Sequence, residues 1–308
     1  MVEFDPATLG AWVAASLRSA TPLMLAMLGE TLTQRAGIIN LGVEGEMLVG
    51  ACVGFAVAAI SGSAALGLGA GACAGLLLSM LHAGLVLGAR ANQIGSGIAV
   101  WMIGLGGTSY FGRTFVGRRV AGMGPLGGAA EGHGFLQSAL AQLTPAAPFA
   151  LGVALLAGVW LFRTRPGLAW RTTGESAAVA RALGLRPRRI RFRAILAGGL
   201  LAGLGGSVLS VDYTQTWAQD ITKGAGLVAV GLVVVARWNP YLVIPVALLF
   251  GLAQASTLRL QAGGFAISPS LLAATPYLLS IAAIVVAQLR ARRHSAMPAD
   301  LRAIFRTR

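Results

Sequence analysis

Long apolar stretches without charged residues recur along the whole chain. Most run unbroken for several helical turns and are rich in Leu, Ala, Val and Gly. Polar and apolar residues do not alternate in them, so they lack the pattern of transmembrane β-strands. Inside a bilayer, a helix satisfies every backbone hydrogen bond within its own segment. The pattern predicts an all-α, polytopic transmembrane helical bundle of about 8–9 spans, at residues 8–28, 36–60, 64–88, 94–112, 148–162, 194–211, 224–236, 240–256 and 270–289.

The composition agrees with a membrane location. Of the 308 residues, 56% are hydrophobic and 11% are charged, and the mean hydropathy is +0.74. A soluble domain carries about 25% charged residues, so this chain has too little polar surface for a water-soluble body of its size. We interpret residues 1–308 as a single transmembrane domain.

Basic residues are concentrated in two segments. The net charge is +14, and arginines dominate residues 163–193 (the basic segment) and the tail at 290–308. Cytoplasmic loops of membrane proteins are enriched in Lys and Arg, so both segments are predicted to be cytoplasmic. The bilayer explains the charge, and nucleic acid is not an expected partner.

Two other regions bear on the topology. The parity of the spans puts the arginines of residues 113–119 on the external side, against the usual charge bias. Either this loop is an exported exception, or segment 94–112 does not fully cross. The connection at 212–223 is predicted to be external, with Asp212 among its solvated charges.

Small residues recur at a spacing of four in two predicted spans. Gly67, Gly71 and Gly75 form one series, and Gly199 and Gly203 form another. Such spacing lets helix backbones approach closely in lipid. We favour packing within one subunit over a specific dimer face.

A polar cluster opens the second predicted span, in the sequence Gly-Ile-Ile-Asn-Leu-Gly-Val-Glu-Gly-Glu at 37–46. Asn40 and Glu44 are four residues apart and would share a helix face, whereas Glu46 would point roughly opposite. Ionisable groups within a span usually face a cavity or a partner. The cluster is either a polar lining of a transport path or a buried structural network, including a carboxylate paired with Arg35. For Glu46 we favour the structural role.

A second polar cluster lies in Ala-Asn-Gln-Ile-Gly-Ser-Gly at 91–97, at the start of the fourth span. The amides of Asn92 and Gln93 and the hydroxyl of Ser96 could bind the hydroxyls of a sugar without adding charge. The alternative is that Asn92 caps a helix.

A third motif, Gly-Glu-Ser-Ala-Ala-Val-Ala-Arg-Ala-Leu-Gly-Leu at 174–185, lies inside the basic segment. It predicts a short helix that begins near Glu175 and stops near Gly184. Its small side chains could dock in a groove of a soluble partner, whereas the alternative is a solvated loop attracted to anionic lipid. The cap-like ends and the alanines favour docking, through Gly174, Glu175, Ser176, Ala177, Ala178, Arg181, Ala182 and Gly184.

The chain has no recognisable catalytic motif. A Walker-type phosphate loop, HExxH, GxSxG and a dinucleotide fingerprint are all absent from the sequence. The histidines share no metal-site spacing with Cys, Asp or Glu. We expect no enzyme activity, metal or cofactor in this chain, so an ATPase that drove it would be another chain.

Four stretches, in order along the chain, resemble the permease subunits of bacterial ABC importers for simple sugars and nucleosides, which are related to the ribose and branched-chain amino acid permeases. The family's N-terminal signature has Asn and Glu where Asn40 and Glu44 stand, and its cytoplasmic coupling motif is similar to 174–185. The four stretches are Leu28–Leu48, residues 174–185, Arg237-Trp-Asn-Pro with Ala-Leu-Leu-Phe-Gly-Leu-Ala at 247–253, and Ser268-Pro269 through Pro276-Tyr-Leu-Leu. Ala225 and Glu46 depart from the pattern.

The resemblance implies a type II-like permease fold, multi-pass in the bacterial inner membrane. It also implies a translocation path that involves Asn40, Glu44, Asn92, Gln93 and Ser96. The implied partners are an ABC ATPase subunit that binds ATP and Mg²⁺, a second permease subunit in a heterodimer, and an extracytoplasmic substrate-binding protein. The implied function is import of a nucleoside or simple sugar.

The alternative function is a secondary transporter driven by an ion gradient. Such a transporter needs an acidic residue in the membrane as its ion site, and Glu44 could serve. The docking-like motif at 174–185 argues against it.

Overall fold

The computed structural model describes residues 5–127, 134–262, 269–290 and 297–306. These residues form α-helices joined mostly by short turns. The helices are α1 (Pro6–Arg35), α2 (Val43–Ser61), α3 (Ala64–Ala83), α4 (Gln93–Phe111), α5 (Phe135–Leu140), α6 (Ala146–Arg163), α7 (Arg165–Glu175), α8 (Ala177–Ala182), α9 (Pro187–Ser207), α10 (Ala225–Val235), α11 (Pro240–Ala262), α12 (Pro269–Arg290) and α13 (Ala299–Arg306). Wider π-helical turns at Gly84–Gly88 and Val208–Tyr213 extend α3 and α9.

The all-α, polytopic prediction is confirmed. Within the described parts of the chain, six helices are long and apolar enough to cross a membrane: Pro6–Arg35, Val43–Ser61, Ala64–Gly88, Ala146–Arg163, Pro187–Tyr213 and Pro240–Thr257. Ala225–Val235 and Ala274–Val286 are shorter apolar helices. Each of the nine predicted spans contains a helix, and α4, which fills the fourth, is not among these eight apolar helices.

Three predicted boundaries are wrong. The first span was expected to end at 28 and the second to begin at 36, but α1 continues to Arg35 and α2 begins at Val43. Gly37 interrupts the helical path with a φ of 85°, a conformation that favours glycine. Likewise, α9 begins at Pro187 rather than 194, because proline is well tolerated in the first helical turn.

The centre of the bundle is α9, which packs closely on α1, α2 and α3, while α2 and α3 also pack on each other. The glycine series of α3 and α9 face each other within this chain. A Cβ atom at Gly203 would lie 2.8 Å from Gly75 Cα, and one at Gly75 would lie 2.6 Å from Gly203 Cα. The small residues thus permit backbone contact inside one subunit, as predicted.

Helix α4 connects the two ends of the bundle. At its start, Gln93 Oε1 accepts a hydrogen bond of 2.9 Å from the backbone N–H of Ile39. Past its far end, Gly112 packs against the indole of Trp217, and Arg119 pairs with Thr216 in an antiparallel bridge. The arginines of residues 113–119 therefore lie at the end of the bundle opposite to the basic segment.

The expectation that the charges of the 212–223 connection are solvated holds for Asp220 and Lys223, which are exposed, but is wrong for Asp212. Asp212 is only 2% exposed, because its carboxylate accepts hydrogen bonds from the Met123 N–H at 3.0 Å and from the Thr144 hydroxyl. Farther along, Trp217 and Thr222 are also buried. The connection runs into the bundle.

Helix α10 is consequently a half-span. Its 11 residues rise about 16 Å at 1.5 Å per residue, roughly half of the ~30 Å hydrocarbon core. Residue 224, immediately before it, has a φ of 82°, which permits the sharp entry into the helix. A helix N-terminus is thereby placed in the interior of the bundle.

Candidate functional site

The turn at 36–42 folds back into the protein beside the last turns of α1. The backbone N–H of Asn40 donates to Glu30 Oε1 at 3.1 Å, and Gln34 Nε2 donates to the same oxygen at 2.8 Å. Since Glu30 lies more than one turn before the end of α1, α2 begins well inside the bundle. Glu30 and Asn40 are each about 1% exposed.

Asn40 and Glu44 do not share a helix face, contrary to the sequence expectation. Asn40 precedes the start of α2 at Val43, so helical spacing does not apply to it. Its Nδ2 donates to Glu46 Oε1 at 2.8 Å, and its Oδ1 accepts from the Gly42 N–H at 2.9 Å. Glu46 is therefore part of a buried hydrogen-bond network, the structural role favoured for it.

Arg35 forms no ion pair with the acidic residues of this cluster among the residues that the structure describes. Its Nε donates to the carbonyl of Trp238 at 2.7 Å. The indole Nε1 of Trp238 in turn donates to Gln34 Oε1. The motif Arg237-Trp-Asn-Pro thus fastens the link between α10 and α11 to the end of α1. Sequence reasoning had marked the motif but not its partner.

Glu44 caps the N-terminus of α10 from the first turn of α2. It is fully buried, and its Oε1 accepts hydrogen bonds from the Thr222 hydroxyl and from the Gly224 N–H at 2.9 Å. Its Oε2 accepts from the Gly226 N–H at 2.6 Å. Free N–H groups and the helix dipole favour a negative charge at this position. The carboxylate therefore supplies the acceptors that the N–H groups at the start of α10 lack within their own helix.

Gly226 is required for this approach. A Cβ atom there would lie 2.6 Å from Glu44 Cα, closer than any side chain could tolerate. Local sequence patterns could not reveal the contact, because Gly226 lies 182 residues beyond Glu44.

The residues of the second polar cluster contact two different elements, α4 and the turn at 36–42. Asn92 is exposed, and its Oδ1 caps α4 by accepting from the N–H groups of Ile94 and Gly95 at 2.9 and 3.1 Å. The side chain of Gln93 accepts a hydrogen bond from the backbone N–H of Ile39, in the turn at 36–42. The hydroxyl of Ser96 is buried and, within the described residues, has no hydrogen-bond partner.

The motif at 174–185 forms a shorter helix than expected. Glu175 ends α7, and α8 begins at Ala177 because Ser176 Oγ accepts from the Val179 N–H at 3.3 Å. Ala182 is the last residue of α8, and Gly184 follows with a φ of 76°. The helix therefore lies at 177–182 rather than near 175–184.

Helix α8 presents an apolar outer face. Val179 and Leu183 are 53% and 66% exposed, and Ala178 and Ala182 are exposed beside them. We call these four residues the α8 face. Ala177, which was expected on this face, is half-buried, and Ala180 is buried.

Helix α7 connects this region to the bundle. The indole Nε1 of Trp170 donates to the carbonyl of Leu32 in α1 at 2.8 Å. A Cβ atom at Gly174 would lie 2.9 Å from the carbonyl carbon of Arg35 and 3.2 Å from Gly37 N. A displacement of α7 would therefore be felt directly at the turn that holds Asn40.

Helix α13 docks on the same region, which the sequence did not predict. Glu175 Oε2 accepts from the backbone N–H of Ala299 at 3.2 Å, and the guanidinium of Arg191 pairs with the carboxylate of Asp300. Arg191 also donates from Nε to the Ala36 carbonyl at 3.2 Å. Glu175 consequently serves the C-terminal helix, not only α8.

These features together define a multi-pass membrane transport protein, with broken helices inside and a helical segment displayed at its arginine-rich end. A family profile described as "Branched-chain amino acid transport system / permease component" matches residues 12–287. The chain belongs to this family, and it is a membrane-spanning permease subunit of an ABC transporter of the inner membrane. Such permeases work with an ATPase and a substrate-binding protein, so the ion-gradient alternative loses its support.

Three relatives align over most of their length. TsgC13 of Haloferax volcanii, provisionally named as a glucose ABC transporter permease, is 37% identical over 83% of this chain and 79% of its own. The guanosine ABC transporter permease protein NupQ of Bacillus subtilis is 30% identical over 79% and 80%. The nucleoside ABC transporter permease protein NupC of Lactococcus lactis subsp. cremoris is 29% identical over 80% and 81%. No solved structure matches the chain significantly.

Proposed function

We propose that this permease imports a nucleoside or a simple sugar as one half of a permease heterodimer. The observation that carries the proposal is that the relatives similar over most of the chain are named for glucose, guanosine and nucleosides. Separate ATPase subunits bind ATP and Mg²⁺, and an extracytoplasmic binding protein delivers the substrate. The chain itself is one transmembrane domain and is neither an enzyme nor a cofactor-binding protein.

The proposed translocation path runs past the turn at 36–42 and the start of α4. Irregular backbone at membrane depth is tolerated where it is buried in protein or lines a cavity, and broken helices often build transport sites. Asn92, Gln93 and Ser96 offer neutral amides and a hydroxyl to an uncharged, hydroxyl-rich substrate. Asn40 and Glu44 hold the broken segments that border the path.

The bonding of Glu44 supports an ATP-driven importer over an ion-coupled transporter. Both carboxylate oxygens already accept hydrogen bonds from the start of α10 and from Thr222. A sodium ion or a titrating proton would have to displace these donors. Glu44 is better suited to a structural role in the moving parts than to a cycling ion site.

The proposed coupling element consists of α8 and its flanks, within the basic segment at 163–193. The α8 face would seat in a groove of the ATPase, with Arg181 at its rim. Gly174, Glu175, Ser176, Ala177 and Gly184 shape the entry and exit of α8. Movement of the ATPase would pass through α7 to Trp170 and the turn at 36–42. The C-terminal segment at 290–308 lies on the same cytoplasmic side in this proposal.

An Ala178→Trp substitution tests the coupling element. The added indole should obstruct docking of the α8 face, so we expect the ATPase to co-purify at least ten-fold less with this variant or to lose stimulation by substrate and binding protein. The matched control is Ala89→Trp, an exposed position between α3 and α4 at the same end of the bundle. If both variants lost the ATPase equally, or if neither variant lost it, the assignment of α8 as the coupling element would be contradicted.

A further inference from the structure

A pocket of about 460 Å³ opens between the end of α3 and the start of α9. The α9 side carries Arg188, Arg189 and Arg193 together with Phe192, and the α3 side is apolar, with Met80 and Leu87. None of these residues belongs to the proposed path or to the α8 face. The pocket is therefore a separate candidate site.

The arginine wall carries unneutralised positive charge. Within the described residues, the ion pair found is Arg191 with Asp300, and none of the three pocket arginines makes a side-chain hydrogen bond or ion pair. All three are exposed on the first turns of α9, where the dipole of the helix adds positive potential. An anion bound in the pocket would relieve the mutual repulsion of the guanidinium groups and accept several hydrogen bonds.

The apolar wall continues onto a surface that faces hydrocarbon. Met80 is 41% exposed, and its neighbours Leu77 and Leu81 are 63% and 42% exposed. The arginines lie at the very start of the span Pro187–Tyr213, and basic residues at the end of a span are expected near the lipid headgroups. A ligand that fits both walls has an anionic head and an apolar chain.

We propose that this pocket binds one anionic phospholipid. The phosphate group contacts Arg188, Arg189 and Arg193, and an acyl chain lies along Phe192, Leu87 and Met80 toward the exposed side of α3. Basic pockets between transmembrane helices at the cytoplasmic surface are known to suit such headgroups. Held in this way, the lipid fixes the start of α9 against α3.

The test uses the purified transporter complex, delipidated in detergent and titrated with phosphatidylglycerol, phosphatidylcholine or inorganic phosphate, with bound molecules counted by native mass spectrometry. Two variants probe the two halves of the pocket. Arg189→Gln/Arg193→Gln removes charge, and Gly84→Leu fills the pocket while all arginines remain. A Cβ atom at Gly84 meets nothing within 4 Å, so this variant should fold.

Each variant has a matched control. Arg163→Gln/Arg165→Gln removes the same charge from exposed positions of the basic segment. Gly69→Leu adds the same side chain to an exposed glycine of α3, where a Cβ atom also meets nothing within 4 Å. We expect both pocket variants to weaken phosphatidylglycerol binding at least ten-fold and both controls to change it less than two-fold.

Three outcomes would overturn the proposal. Equal binding of phosphatidylcholine would remove the need for an anionic head. Inorganic phosphate that displaced the lipid at equal concentration would show an anion site without a chain site. Loss of binding in the charge variant but not in Gly84→Leu would show diffuse electrostatic attraction rather than a pocket.

Discussion

Glu44 shows how one buried carboxylate can make a broken transmembrane helix possible. It accepts hydrogen bonds from two backbone N–H groups at the start of α10 and from the Thr222 hydroxyl. Inside a bilayer, no water is available to accept hydrogen bonds from these donors. The carboxylate therefore substitutes for the solvent, and it joins α2 to α10 at the point where the chain leaves regular structure.

Replacing Glu44 with alanine should destabilise the protein strongly. Each buried donor left without a partner costs about 1–3 kcal/mol, and three donors are affected. We expect the thermal unfolding midpoint of the purified complex in detergent, followed by tryptophan fluorescence, to fall clearly for Glu44→Ala and less for Glu44→Gln, which keeps one acceptor oxygen.

The matched control for Glu44→Ala is Asp220→Asn. Asp220 lies in the same connection, is exposed and has a φ of 52°, which asparagine tolerates. If Glu44→Ala unfolded at the same temperature as Asp220→Asn, the capping role would be wrong.

The site residues were only partly predictable from the sequence. Asn92 as a helix cap follows from local chemistry, and the structure has that bond. The pairing of Asn40 with Glu46 does not follow from local chemistry, because it depends on where α2 begins. Gly37 sets that point through its backbone conformation. The donors to Glu44 lie about 180 residues away along the chain, beyond the reach of any local pattern.

At the scale of helices, the contact between α3 and α9 is the central packing contact of the bundle. Their backbones meet through facing glycines, where even a methyl group would clash. Dispersion forces between closely packed atoms drive helix association in lipid. The pocket lies between these two helices, and the basic segment leads directly into α9, so the proposed coupling element would also depend on this contact.

A Gly203→Ala substitution should separate these two helices. The added methyl would meet the backbone of Gly71 and Gly75, and such overpacking costs about 1–3 kcal/mol. We expect a lower yield of monodisperse complex in size-exclusion chromatography and a lower unfolding midpoint. Gly69→Ala, on the exposed side of α3, should behave like the unmodified chain. An unaffected Gly203→Ala variant would show that the close approach is not required.

Helix identity was more predictable than helix extent. Apolar runs mark all nine predicted spans, because hydrocarbon excludes charge wherever it occurs. They do not show that α10 is only a half-span or that residues 212–223 turn inward, since Asp212 and Thr222 look solvated until their partners are known. Helix α13 was missed for a similar reason: its contacts with Glu175 and Arg191 cross more than one hundred residues.

At the scale of the whole molecule, the two ends of the bundle have different tasks. One end collects the basic segment, the turn at 36–42, helix α13 and the α8 face. The other collects residues 113–127 and the connection that dips to Thr222. Glu44 and the start of α10 lie between them, and α7 links the α8 face to the turn. This arrangement suits a transporter in which movement at the end that carries the α8 face changes access to the interior of the bundle.

The most direct test of the account is uptake of labelled nucleoside or sugar by proteoliposomes that contain the whole transporter. We predict accumulation of a nucleoside or a simple sugar that requires ATP on the ATPase side and binding protein on the other, and that is unchanged when proton and sodium gradients are collapsed. Accumulation driven by either gradient without ATP, and abolished by Glu44→Gln, would contradict the account.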